Sequence, residues 1–131
     1  MTFISFTKSA DPKAPDDLRV NSTAVLYVEA SRPELIGRTM IHLLGQGVTV
    51  NAVMESVSTV ITALSGDKSS LVECTRHYLA TPPHDGPSTV YISAQNVSYV
   101  RPNFPISPIF WVVTFVDGSD LRIMAPLPHG L

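Results

Sequence analysis

Residues 18–52 read LRVNSTAVLYVEASRPELIGRTMIHLLGQGVTVNA, and residues 90–125 read VYISAQNVSYVRPNFPISPIFWVVTFVDGSDLRIMA. Laid side by side, the two stretches share their apolar stations. Leu18 and Val20 stand with Val90 and Ile92, and Val25, Tyr27 and Val28 with Val97, Tyr99 and Val100. Pro33 stands with Pro105, and Ile41, Leu43 and Leu44 with Val113, Phe115 and Val116. Gly45 falls on Asp117. With one residue inserted after that turn, Val48, Val50 and Ala52 stand with Leu121, Ile123 and Ala125. Each stretch alternates apolar and polar residues between turn signals, which is the period of half-buried strands. The chain is therefore expected to be mainly β (α+β), an internal repeat of 18–52 and 90–125. A short β-meander cannot bury its apolar face alone, so the expectation is two antiparallel meander units forming one sheet, sandwich or barrel-like core within a single domain, 1–131.

Between the two stretches the period changes. Val53, Val57, Val60, Ile61 and Leu64 lie on one face of a helix, with Glu55, Ser56, Ser58, Thr59 and Thr62 on the other. An amphipathic helix is expected over about residues 53–64, with Asn51 as N-cap and Gly66 as stop. Its β-branched residues give it weak intrinsic propensity, so packing must hold it. Phe3–Phe6 and Ser70–Ala80 read as further strands. Residues 7–17 contain Pro12 and Pro15 and read as an N-terminal arm. Residues 125–131 contain Pro126 and Pro128 and read as an extended C-terminal tail.

The run Val20-Asn21, Val25, Tyr27-Val28-Glu29, Thr39 to Leu43, Gly47, Val50, Glu55-Ser56-Val57 and Val60 resembles the small FlbD-like flagellar-regulator pattern. That family implies a short β-meander followed by a helix. The stretch Leu26-Tyr27-Val28-Glu29-Ala30 is also similar to the motif that opens LytTR-type DNA-binding domains. That second resemblance implies DNA-contacting polar and basic residues in the later half, where the chain offers Arg76, His77, Arg101 and Arg122.

Composition bears on partners. Charged residues are 15% of the 131, where about 25% is usual for soluble domains, and 44% are hydrophobic. A chain with so few charges is expected to have surface covered by a protein partner or by copies of itself. The net charge is −2, and no two of the nine basic residues are adjacent. Nucleic-acid binders draw most of their affinity from clustered cations, so a nucleic-acid partner is not expected. The first ten residues lack a basic start and a long apolar run, so no signal peptide is expected. No stretch reaches the ~20 apolar residues of a membrane span. A cytoplasmic or particle-incorporated protein is expected.

Chemistry is sparse. The single cysteine, Cys74, lies three residues from His77. On a strand that spacing puts the two on opposite faces, so a nucleophile–base pair is not expected. The histidines His42, His77, His84 and His129 show no metal-ligand spacing. No enzyme, cofactor or metal is expected. Gly45-Gln46-Gly47 and Asp117-Gly118 read as hairpin turns, not phosphate or calcium loops. The candidate partner contacts lie in two proline-stiffened loops: Phe104, Pro105, Ile106 and Pro108 in one, His84 and Asp85 in the other. Together these point to a non-enzymatic structural or protein-interaction subunit of a larger assembly, such as a phage-particle component. A LytTR-like regulatory DNA-binding module is the alternative, and a small-ligand sensor with a deep pocket between the two units is a third.

Overall fold

The computed structural model describes residues 3–9, 16–30, 39–46, 51–66, 71–76, 88–103 and 110–131. Ten strands and one helix follow one another: β1 (Phe3–Ser9), β2 (Asp16–Asn21), β3 (Val25–Ala30), β4 (Thr39–Leu43), β5 (Asn51–Val53), α1 (Val57–Ser65), β6 (Leu71–Arg76), β7 (Ser88–Ser93), β8 (Val97–Asn103), β9 (Phe110–Phe115) and β10 (Asp120–Met124). All recorded pairings are antiparallel. β1 and β2 form a two-stranded sheet, and the other eight form one open sheet in the order β5-β4-β3-β7-β6-β10-β9-β8. The protein is mainly β with one helix.

The two halves share geometry residue by residue. The strands β2 and β3 flank a 3-10 turn at Ser22–Ala24, as β7 and β8 flank one at Ala94–Asn96. The β3–β4 ladder shifts register between Val25 and Tyr27, leaving Leu26 as the extra residue. The β8–β9 ladder does so between Val97 and Tyr99, leaving Ser98. Leu44 N–H donates to the Ala24 carbonyl and Val116 N–H to the Asn96 carbonyl, 2.8 and 2.9 Å. β1 meets β2 with Phe3 opposite Asn21, and β6 meets β7 with Leu71 opposite Ser93.

The hairpins differ, and in the opposite sense to the sequence match. Ile41 faces Asn51 and Thr39 faces Val53, whereas Val113 faces Leu121 and Trp111 faces Ile123. Asn51 and Val53 therefore hold the stations of Leu121 and Ile123. The second hairpin is shorter by two residues rather than longer by one. Its compact turn rests on Gly118, whose φ of 89° an L side chain rarely adopts. Of the strand expected at Val48–Asn51, residues 48–50 lie outside the described residues; β5 runs Asn51–Val53, which leaves residue 53 in a strand and not in the helix. α1 begins at Val57 rather than near residue 53, and its N-cap is Ser56, whose hydroxyl accepts from Thr59 N–H at 3.3 Å. A serine hydroxyl satisfies a first-turn donor there as the asparagine was expected to do.

Most of the buried apolar side chains fall into two clusters, the first drawn from the first half and the second mainly from the second half, with Leu26 and Tyr27 of β3 reaching into it. Phe6, Val20, Val25, Val28, Ile41, Val53, Val60 and Leu64 make the first. Leu26, Tyr27, Cys74, Val90, Ile92, Val113, Phe115, Leu121 and Ile123 make the second. α1 covers the first through Val60 and Leu64, both fully buried. The second has Leu127 and Leu131 packed on it instead. The 125–131 segment, expected to be an extended tail, turns at His129–Gly130 and lies against this core. The segment read as an arm at 7–17 has strand at both ends, Thr7–Ser9 in β1 and Asp16–Asp17 in β2.

β1 is fastened to the far end of the large sheet by Glu55. Its carboxylate accepts from Thr7 N–H at 2.9 Å, and Met54 N–H donates to the Thr7 carbonyl at 2.7 Å. Thr39 Oγ1 donates to the Glu55 carbonyl at 2.6 Å, holding the turn before α1. Truncating Leu64 to alanine removes the helix's deepest contact, and Leu→Ala in cores costs about 2–5 kcal/mol. Leu64→Ala is expected to lower the unfolding free energy by that amount, read in urea as a lower midpoint at an unchanged slope. Leu127→Ala, on the partly buried segment over the second cluster, is expected to cost distinctly less in the same titration.

Candidate functional site

Glu29 is the one fully buried acid among the described residues, at 2% exposure. It lies on β3, where both faces of the strand are buried, so its carboxylate needs partners brought by other strands. β4 supplies His42, whose Nε2 lies 2.9 Å from Oε1. An ionised carboxylate only accepts, so Nε2 carries the hydrogen. β6 supplies Arg76, whose guanidinium reaches past β7 and donates to Oε1 and Oε2 at 2.8 and 2.9 Å. The Tyr27 ring completes the group. It stacks on the His42 ring at 4.0 Å and 15°, packs beside Phe115 at 5.8 Å, and has the Arg76 guanidinium 5.8 Å from its centre.

Burial alone raises the Glu29 pKa. The hydrogen bond from His42 and the charge and hydrogen bonds of Arg76 outweigh it and hold the carboxyl below its ordinary value. The site is thus a carboxylate kept ionised by donors from β4, next to it, and β6, one strand further on. His42 and Arg76 both engage Glu29, and the Arg76 bond ties β6 of the second half to β3 of the first.

Cys74 lies on β6, two residues before Arg76. It is buried, and its thiol is pushed up to about 11, mainly by burial and further by the charge of Glu73. A thiol held that far above neutral pH supplies almost no thiolate. Cys74, Thr89, Met124 and Pro126 help line an open groove of about 530 Å³, which belongs to the second half and the segment after β10 rather than to the space between halves. Among the described residues no group of three or more His, Cys, Asp or Glu side chains could hold a metal ion, and no helix is long and apolar enough to cross a membrane.

The loop residues expected to touch a partner, Phe104, Pro105, Ile106 and Pro108, lie outside the described residues, as do His84, Asp85 and His77. Sequence reasoning missed the Glu29 cluster. One signal was present: a glutamate closing the apolar run Val25–Val28 in a strand. Its partners, 13 and 47 residues away, follow only from strand order.

No family model, curated protein or solved structure matches the chain.

Because the folded pKa of Glu29 is depressed, the stability it contributes is present above its unfolded value, near 4.3, and is lost as pH falls through the folded value. Thermal melts are expected to be flat in this respect above about pH 5 and to decline below about pH 4.3. Arg76→Met leaves the buried carboxylate underpaired, with a loss of about 3–5 kcal/mol at pH 7. Protonating Glu29 relieves that loss, so the deficit relative to the parent chain is expected to narrow as pH falls toward and below about 4.3, a pH dependence that loss of packing alone would not produce. Native Cys74 is expected to react with iodoacetamide at pH 7.5 at least tenfold more slowly than in urea.

Proposed function

We propose that this chain is a non-enzymatic structural or protein-interaction subunit of a larger assembly, built from a duplicated strand unit. One observation carries it: the large sheet is open, and the outer edges of β2 and β8 have no strand partner among the described residues. Unpaired edge donors and acceptors are a ready surface for another polypeptide. The exposed large apolar residues add to this. Leu44 and Val116 flank the point where Gly45 N–H donates to Asp117 at 3.0 Å, so two apolar hairpin tips stand side by side. The polar chemistry of Glu29, His42 and Arg76 is spent on joining the halves, which fits a scaffold better than an enzyme. A phage-particle component, cytoplasmic before incorporation, is the fuller form of the proposal, with partners that are proteins or further copies. The order β3, β4, β5, α1 agrees with the meander-then-helix pattern that the FlbD-like resemblance implies. For LytTR-type DNA binding, Arg76 is committed to Glu29 and Arg122 lies over the Phe110 ring at 5.5 Å.

Light scattering across a concentration series, on the chain alone and after mixing with host extract, tests the proposal. A mass above one chain, or a stable complex with an identified protein, is the expected result. A monomer at every concentration that captures nothing would overturn it, as would a salt-sensitive DNA gel shift, which belongs to the DNA-binding alternative.

A further inference from the structure

The two halves provide their own comparison for what the outer edge of β8 lacks. β3 and β8 pair with β4 and β9 in the same register, down to the extra residue after the first. Their other edges differ. β3 is covered by β7, with Tyr27 opposite Ile92, Val28 opposite Tyr91 and Glu29 opposite Val90. No strand covers β8 among the described residues. The consequence is visible in the side chains. Tyr27 is 9% exposed, while Tyr99, its counterpart 72 residues on, is 54% exposed. Leu26, Val28 and Glu29 are buried, while Ser98 and Arg101 are exposed and Val100 is half-buried.

Charge decides what would fit. On β3 the station is Glu29, and the strand pair lying over that edge brings Arg76 to it. On β8 the same station is Arg101, so the charge is inverted and a covering strand must bring a carboxylate. A second copy of this chain would offer β2 with β1 behind it. In β1 the register shift between Thr7 and Ser9 sets Ser9, opposite Asp16, where Arg76 stands opposite Ser88 in β6, so β1 of that copy would bring no carboxylate to Arg101. Asp17 of β2 lies on the face opposite Leu18, away from the Arg101 side. Pro102 adds a restriction, since it has no N–H and proline is tolerated within sheets on an edge strand.

We propose that the outer edge of β8 is a docking edge for an extended, carboxylate-bearing segment of another polypeptide, added as a strand along Ser98–Arg101. Backbone bonds to Ser98–Arg101 give the affinity and Tyr99 is covered as Tyr27 is. Arg101 selects for acid. This names the partner chemistry for the assembly role proposed above and rests on it.

The test uses the whole chain, ¹⁵N-labelled, titrated with an alternating Val/Glu hexapeptide, acetylated and amidated, and with its Val/Lys counterpart. The acidic peptide is expected to shift the Ser98, Tyr99, Val100 and Arg101 amides saturably and to bind at least tenfold more tightly than the basic one. Arg101→Glu, at an exposed site that should not disturb folding, is expected to reverse the preference. Tyr99→Ala should weaken both. Equal binding of the two peptides, or no shift at β8 with either, would overturn the proposal. Concentration-dependent shifts at β8 without peptide would also overturn it, in favour of a second copy as occupant. If the chain assembles by light scattering yet neither peptide reaches β8, this inference fails and the assembly role stands. If neither happens, both fail.

Discussion

A carboxylate from the first half and a guanidinium from the second meet across a strand that belongs to neither residue. Glu29 and Arg76 are 47 positions apart, and β7 runs between them. For that pair to form, β3 must lie against β7 in one register and β7 against β6 in another. A slip of one residue in either ladder would turn a charged side chain to the wrong face. The ion pair is therefore a check on alignment as much as a source of attraction. Buried pairs of this kind add little net stability against an apolar replacement, while a broken one is costly. Such a term suits a junction where two similar units might otherwise join in several ways.

Around that junction the arrangement is close to symmetric. The two 3-10 turns meet, and Asn96 Nδ2 donates to the Thr23 and Val25 carbonyls at 2.7 Å each. The equivalent residue in the first half is Ala24, which has no such donor. Symmetry is thus approached in the backbone and broken in side chains. The pairing of β3 with β7 has no mate between β8 and β2, and the run of strands stays open there.

Much of the strand plan was legible because alternation is a local signal. Ile41–Leu43 and Leu121–Ile123 show it within a few residues, and Val25–Val28 is legible instead as a short continuous apolar run. The break before β3 was legible from Asn21-Ser22-Thr23, whose side chains compete with the ladder; Thr23 Oγ1 donates to Asn21 Oδ1 at 2.8 Å. The start of the helix was not. Val53 satisfies both a strand ending at residue 53 and a helical stripe through Val57 and Val60, and only pairing with Thr39 decides between them. The Glu29 cluster was out of reach for a related reason. Its members come from β3, β4 and β6, with β7 inserted between β3 and β6 out of chain order, and composition carries no trace of that. Turn length failed too, because the polar Asn51 holds the station of Leu121, and matching by apolar residues slides three positions past it to Val48.

Phe6 and Cys74 hold the same station in β1 and β6, yet one is a large aromatic and the other a small thiol. The opposite exchange occurs across the core, where Leu43 of β4 corresponds to Phe115 of β9. Each half has kept its interior full by moving bulk from one strand to another. The residues at these stations are consequently tied in pairs. A phenylalanine transplanted alone to position 74 would overfill a core that already holds Phe115, and a cysteine at position 6 would leave the first core hollow. If the halves share an ancestor, their divergence was constrained to compensated steps, and neither can now be rebuilt from the other one residue at a time.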